Sequence, residues 1–148
     1  MRIATDTAIL IARALMASSM IYYGASKIVD ISIFTGHHTT QASMNLFAGG
    51  GKAPLWFAYL NAIFQTFCGI LVLVGFYART AAMGLVIWLS VLTFVGYPVW
   101  KMTGADRAAS LSIFFRNLAM IAAFLMVAAT GPGSLSFDGQ RRGGRRRG

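Results

Sequence analysis

The sequence predicts an all-α integral membrane protein, a four-helix bundle whose N- and C-termini are both cytoplasmic. Of its 148 residues, 57% are hydrophobic and 11% are charged, whereas a soluble domain needs about a quarter of its residues charged to cover its surface. A membrane helix needs roughly 20 apolar residues to cross about 30 Å of hydrocarbon. Four segments of this chain have that length, so most of the protein surface is predicted to face the lipid bilayer.

The predicted membrane domain covers residues 1–138 and contains four largely apolar spans, at about 6–28, 54–78, 80–100 and 108–130. The second and third spans are separated by little more than Arg79, which predicts a tight antiparallel hairpin. The fourth span ends at the Gly-Pro-Gly sequence that starts at Gly131, and such residues typically follow the end of a helix.

The orientation follows from the lysines and arginines that flank the spans. With four spans both termini lie on one side of the membrane, and the side with more Lys and Arg is cytoplasmic. Seven cationic residues fall on the side of the termini, namely Arg2, Arg79 and five tail arginines, against four on the other: Lys27, Lys52, Lys101 and Arg107. We therefore expect a multi-pass membrane protein with cytoplasmic termini.

Residues 139–148 form an Arg/Gly-rich cytoplasmic tail outside this domain. It carries five of the thirteen cationic residues of the chain: Arg141, Arg142, Arg145, Arg146 and Arg147. Beside a bilayer the nearest polyanion is the lipid surface, where each basic residue gains about 1 kcal/mol. The tail is expected to dock on anionic lipid or on an acidic partner subunit, and not on nucleic acid.

Two polar residues are predicted to lie deep in the bundle. An arginine at the middle of a membrane helix costs roughly 2.5–3.5 kcal/mol on insertion scales, so it should face inward and have a partner. Counted along their spans, Arg13 and Gln65 reach similar depths, and we predict that they form a buried polar pair. Because glutamine accepts a hydrogen bond without neutralising charge, Arg13 would still need a phosphate, backbone carbonyls or an acidic group from another chain.

A second polar group is predicted toward the outer side. It comprises Tyr23 and Lys27 of the first span, Asn61 of the second, and Arg116 and Asn117 of the fourth. These side chains could form a pocket for the polar head of an amphiphilic ligand, either a quinone or a phospholipid. The alternative is that they hydrogen-bond between helices and reach toward the interface. The sequence predicts no catalytic residue, no metal site and no covalently bound cofactor, and its single cysteine, Cys68, excludes an internal disulfide.

Several stretches resemble the DoxX family of small four-span bacterial membrane proteins. The most specific are residues 115–119 (FRNLA) and 131–138 (GPGSLSFD). In the first span Arg13 and residues 24–27 (GASK) match the family's arginine and its G-x-x-K sequence. In the second span, Gly69 and Gly75 match the family's glycine-spaced helix, and Arg79 matches the arginine of the turn that follows. The resemblance extends from about residue 8 to residue 138.

The resemblance implies association with membrane redox systems, because some members are subunits of thiosulfate:quinone oxidoreductase and others accompany oxidative-stress complexes. This chain has Gln65 where members usually have a glutamate, which argues against a role in proton transfer. The leading hypothesis is an accessory, non-catalytic subunit of a larger inner-membrane electron-transfer or quinone-linked complex. The alternatives are a quinone-reactive oxidoreductase subunit and a small transporter.

Overall fold

A computed structural model describes residues 2–30, 55–97, 99–100 and 103–139 of the chain. These residues form four helices: α1 (Arg2–Val29), α2 (Leu55–Val74), α3 (Ala78–Gly96) and α4 (Gly104–Thr130). Strands do not occur within those ranges. The predicted all-α class is therefore confirmed.

Three of the helices contain segments long and apolar enough to cross a membrane, namely Thr5–Val29, Ala78–Gly96 and Arg107–Thr130. In α2 the apolar segment is shorter, Ala58–Val74, and covers about 25 Å at 1.5 Å per residue. Large apolar side chains are exposed on all four helices, among them Leu15, Phe67, Ile87 and Met126. The chain is thus a small all-α membrane protein, and its orientation stays a prediction.

The helices pack mainly as consecutive pairs. Helix α1 lies against α2 and α3 against α4, while α2 and α3 join the two pairs and α1 meets α4 over a smaller area. Small buried residues such as Ala17 and Ala82 lie beside larger ones such as Leu85 and Phe124 in the core. Without a hydrophobic driving force between helices in lipid, small residues stabilise such packing by letting helix backbones approach closely.

The turn between α2 and α3 explains why α2 is shorter than its predicted span. Gly75, the residue directly after α2, has a φ of +78°, and this left-handed conformation ends the helix. Tyr77, which precedes α3, has a φ of +46°. The N–H of Gly75 still donates to the carbonyl of Leu71 at 2.9 Å. Helix α2 therefore ends at Val74 rather than at residue 78, and α3 begins at Ala78.

The segment after α4, residues 131–139, folds back over this turn. The backbone N–H of Asp138 donates to the carbonyl of Gly75 at 3.0 Å, and its carboxylate accepts from the N–H of Ala78 at 3.1 Å. A carboxylate in that position satisfies an N–H at the start of α3 and interacts favourably with the helix dipole. We call this side of the bundle the terminal end, because α1 begins there and α4 ends there.

Arg13 ties α1 to the same segment. Its side chain is 2% exposed, and it donates to the carbonyl of Pro132 at 2.5 Å and to that of Leu135 at 3.2 Å. Helical side chains tilt toward the N-terminus of their helix, which directs this guanidinium toward the terminal end. Backbone carbonyls, one of the three kinds of partner that the sequence left open, are the acceptors that the structure shows.

The predicted tail, residues 139–148, lies outside the described residues except for Gly139. The docking role expected of its five arginines therefore stays a prediction.

Replacing Gly75 by alanine should destabilise the fold more than the same change at Gly104. Both glycines have positive φ, which costs about 1–3 kcal/mol for other residues. A Cβ on Gly75 would lie 2.5 Å from the Cβ of Ser136, whereas a Cβ on Gly104 would meet nothing within 4 Å. The Gly75 variant should lose a further 1–3 kcal/mol, roughly, from this overlap. Equal losses in detergent unfolding titrations would contradict the described turn.

Candidate functional site

A polar contact between α1 and α2 lies inside the bundle, in the half away from the terminal end. The ammonium of Lys27 donates to Oε1 of Gln65 at 2.8 Å. Gln65 is 2% exposed, and its Nε2 lies 3.6 Å from the sulfur of Met20. The Lys27 ammonium also lies 5.2 Å from the ring centroid of Trp88 on α3, within the range of a cation–π interaction.

Trp88 extends this contact to a further residue of α2. Its indole N–H donates to Oδ1 of Asn61, which lies four residues before Gln65 and hence on the same side of the helix. We call Met20, Lys27, Asn61, Gln65 and Trp88 the Lys27 cluster. It joins α1, α2 and α3 through polar groups that hydrocarbon could not satisfy.

The remaining predicted head-group residues lie where α1 meets α4. The guanidinium of Arg116 is 5.8 Å from the ring centroid of Tyr23, and the ring of Tyr22 packs edge-on against Tyr23 at 5.7 Å. Arg116 is exposed and Tyr23 is 45% exposed, while Asn117 is partly buried. The structure thus places Lys27 and Asn61 in a cluster of α1, α2 and α3, and Tyr23 and Arg116 on the outward side of α1 and α4.

The predicted pairing of Arg13 with Gln65 is wrong. Both side chains are buried, but Gln65 bonds to Lys27 and Arg13 bonds to the segment after α4. A Cβ on Gly75 would lie 2.9 Å from Nη1 of Arg13, and Gly75 is ten residues beyond Gln65, a distance of about 15 Å along a helix. Depth counted along the backbone had ignored the tilt of the arginine side chain toward the start of α1.

Trp88 and Met20 are the members of the Lys27 cluster that the sequence analysis missed. Trp88 carried a usable signal, because an indole N–H in the middle of an apolar span needs an acceptor. Asn61, in the neighbouring span, was a polar residue that could supply it. Met20 gave no comparable signal, since methionines fill gaps in many apolar cores.

The described residues can bind and hold polar groups, but they show no arrangement for metal chemistry. No group of three His, Cys, Asp or Glu residues that could hold a metal ion occurs in the described ranges. Cys68 is buried in the apolar core, away from solvent. The chemistry available in the Lys27 cluster is hydrogen bonding and cation–π attraction between three helices.

Comparison of the sequence with known proteins assigns the chain to a family. The DoxX family model matches residues 8–98, which is more than half of the chain. Inner membrane protein YphA of Escherichia coli K12 is 28% identical over 130 residues, covering 88% of this chain and 87% of YphA. Inner membrane protein YqjF of the same organism is 30% identical over 133 residues, covering 90% of this chain and 91% of YqjF. No solved structure matches. The resemblance seen in the sequence is confirmed, and the chain belongs to the DoxX family.

Proposed function

We propose that this protein is an accessory, non-catalytic subunit of a larger electron-transfer or quinone-linked complex in the bacterial inner membrane. The names of its relatives YphA and YqjF support the location. The family resemblance supports the redox setting. The observation that carries the proposal is that the polar side chains of the Lys27 cluster, together with Arg13, bond within the chain and hold helices and backbone together.

The same contacts favour a structural role over the quinone-reactive alternative. A quinone head group would need hydrogen-bond donors directed into an open site. Lys27 donates to Gln65, and Asn61 accepts from Trp88. Two of the five predicted head-group residues are therefore already engaged in contacts between helices.

The outward surface of the bundle suits contact with lipid and with other membrane subunits. Large apolar side chains are exposed along every helix, for example Ile11, Phe64, Phe94 and Leu118. Lateral association in a membrane requires such surfaces and gains its specificity from a few small or polar residues. The Arg/Gly tail would add docking to anionic lipid or to an acidic subunit.

A structural role of the Lys27 cluster predicts a particular pattern of stabilities. Gln65→Leu removes one acceptor of the partly buried ammonium of Lys27 and should cost about 1–3 kcal/mol. The double variant Lys27→Met/Gln65→Leu replaces both partners by apolar groups and should recover most of that loss. Unfolding in mixed detergents measures both. If the double variant is less stable than Gln65→Leu by the full cost of Lys27→Met alone, the two residues do not act as a pair.

Extraction into native-lipid particles, from a host that expresses the protein at its natural level, tests the accessory role. We expect particles that contain the 16.0 kDa chain together with a second polypeptide in fixed stoichiometry. The Lys27→Met/Gln65→Leu variant should keep this partner, because under the proposal its cluster stabilises the fold and performs no reaction. Recovery of the 16.0 kDa chain alone would refute the proposal.

A further inference from the structure

Arg116 is an exposed arginine in the middle of a membrane helix. The apolar segment of α4 runs from Arg107 to Thr130, and Arg116 lies nine residues into it, about 13 Å along the axis. Its side chain is exposed on the bundle surface. A guanidinium at this depth is costly unless another group receives its hydrogen bonds.

Within the part of the chain that the structure describes, no carboxylate lies at that level. The chain has four acidic residues. Asp6 and Asp106 lie near the starts of α1 and α4, Asp30 follows α1 directly, and Asp138 lies in the segment after α4, bonded to Ala78. The contact that the described residues offer Arg116 is the ring of Tyr23, at 5.8 Å. An aromatic ring attracts a cation through its quadrupole but does not neutralise the charge.

The helix surface around Arg116 is built from small residues. Ala109, Ser112, Arg116, Ala119 and Ala123 recur at alternating spacings of three and four, so they form one row along α4. Ala109, Ser112 and Ala119 are exposed and Ala123 is partly buried. Such a row lets the backbone of a second helix approach closely, with the arginine at its centre.

A lipid phosphate fits this position poorly. The backbone of Arg116 lies within about 4 Å of the midpoint of its apolar segment, by the rise per residue. Its side chain extends toward the start of α4, which brings the guanidinium level with Tyr23 but still short of the lipid phosphates, at least about 15 Å from the bilayer midplane. A carboxylate on a neighbouring membrane helix can occupy the same depth as the guanidinium. It would also form paired, charge-assisted hydrogen bonds with it.

We propose that the row around Arg116 is a docking surface for a transmembrane helix of a partner subunit that carries an aspartate or glutamate at mid-membrane depth. The inference rests on the accessory role proposed above and names the chemistry of the contact. Charge complementarity carries it, because an outward cation in hydrocarbon with no internal carboxylate calls for an anionic partner at its own level.

The probe is a synthetic alanine/leucine transmembrane peptide with one central glutamate, compared with the same peptide carrying glutamine. The full-length protein and each peptide are labelled with a fluorescent pair and reconstituted at pH 8 in phosphatidylcholine vesicles. Energy transfer should show the glutamate peptide binding at least about tenfold more tightly. Arg116→Gln should remove this preference, whereas Arg107→Gln, at the end of the same helix, should retain it.

Arg116→Lys guards against a folding artefact, because it keeps the charge and should retain part of the preference. Equal binding of the two peptides, or a preference that survives Arg116→Gln, would overturn the proposal. A preference abolished by adding 20% phosphatidylglycerol would overturn it too, since a lipid head group would then be the occupant. The assay needs no native partner, so its failure is distinct from recovery of the protein alone in native-lipid particles.

Discussion

Hydrocarbon offers no hydrogen bonds, so the buried guanidinium of Arg13 must find its acceptors within the protein. Two nitrogens of this guanidinium, in the first helix, donate to the carbonyls of Pro132 and Leu135, more than a hundred residues away along the chain, while Nε is buried without a hydrogen-bond partner among the described residues. The contact brings the segment after α4 onto α1 and onto the turn at Gly75. Asp138 in the same segment accepts a hydrogen bond from the first residue of α3. The short segment after α4 therefore contacts α1, the turn between α2 and α3, and α3 itself.

The polar groups of the bundle are satisfied in different ways at its two ends. At the terminal end, backbone carbonyls and a carboxylate receive the donors. In the other half, side chains of three helices bond to one another through Lys27, Gln65, Asn61 and Trp88. Arg116 differs from both groups because its side chain is exposed and contacts the ring of Tyr23 instead of a hydrogen-bond acceptor among the described residues of the bundle.

The class of the protein and the approximate positions of its helices could be predicted, because apolar length and charge exclusion act locally along the chain. Burial of Arg13 and Gln65 could be predicted from the cost of exposing them to lipid. Their partners could not, since the acceptors of Arg13 are backbone carbonyls, which leave no pattern in a sequence. The early end of α2 follows from the left-handed conformation of Gly75. Glycine is common directly after a helix, so this boundary had a signal in the sequence that the predicted span 54–78 did not use.

Hydrogen exchange in lipid nanodiscs tests the role of Arg13 most directly. In the wild-type protein the amides of Asp138 and Gly139, bonded to Gly75 and to Ser136, should exchange slowly. In Arg13→Met the segment 131–139 should lose this protection while the amides in the middle of α3 keep theirs. Unchanged exchange in that segment would contradict the account, because the guanidinium would then not be what holds the segment against the bundle.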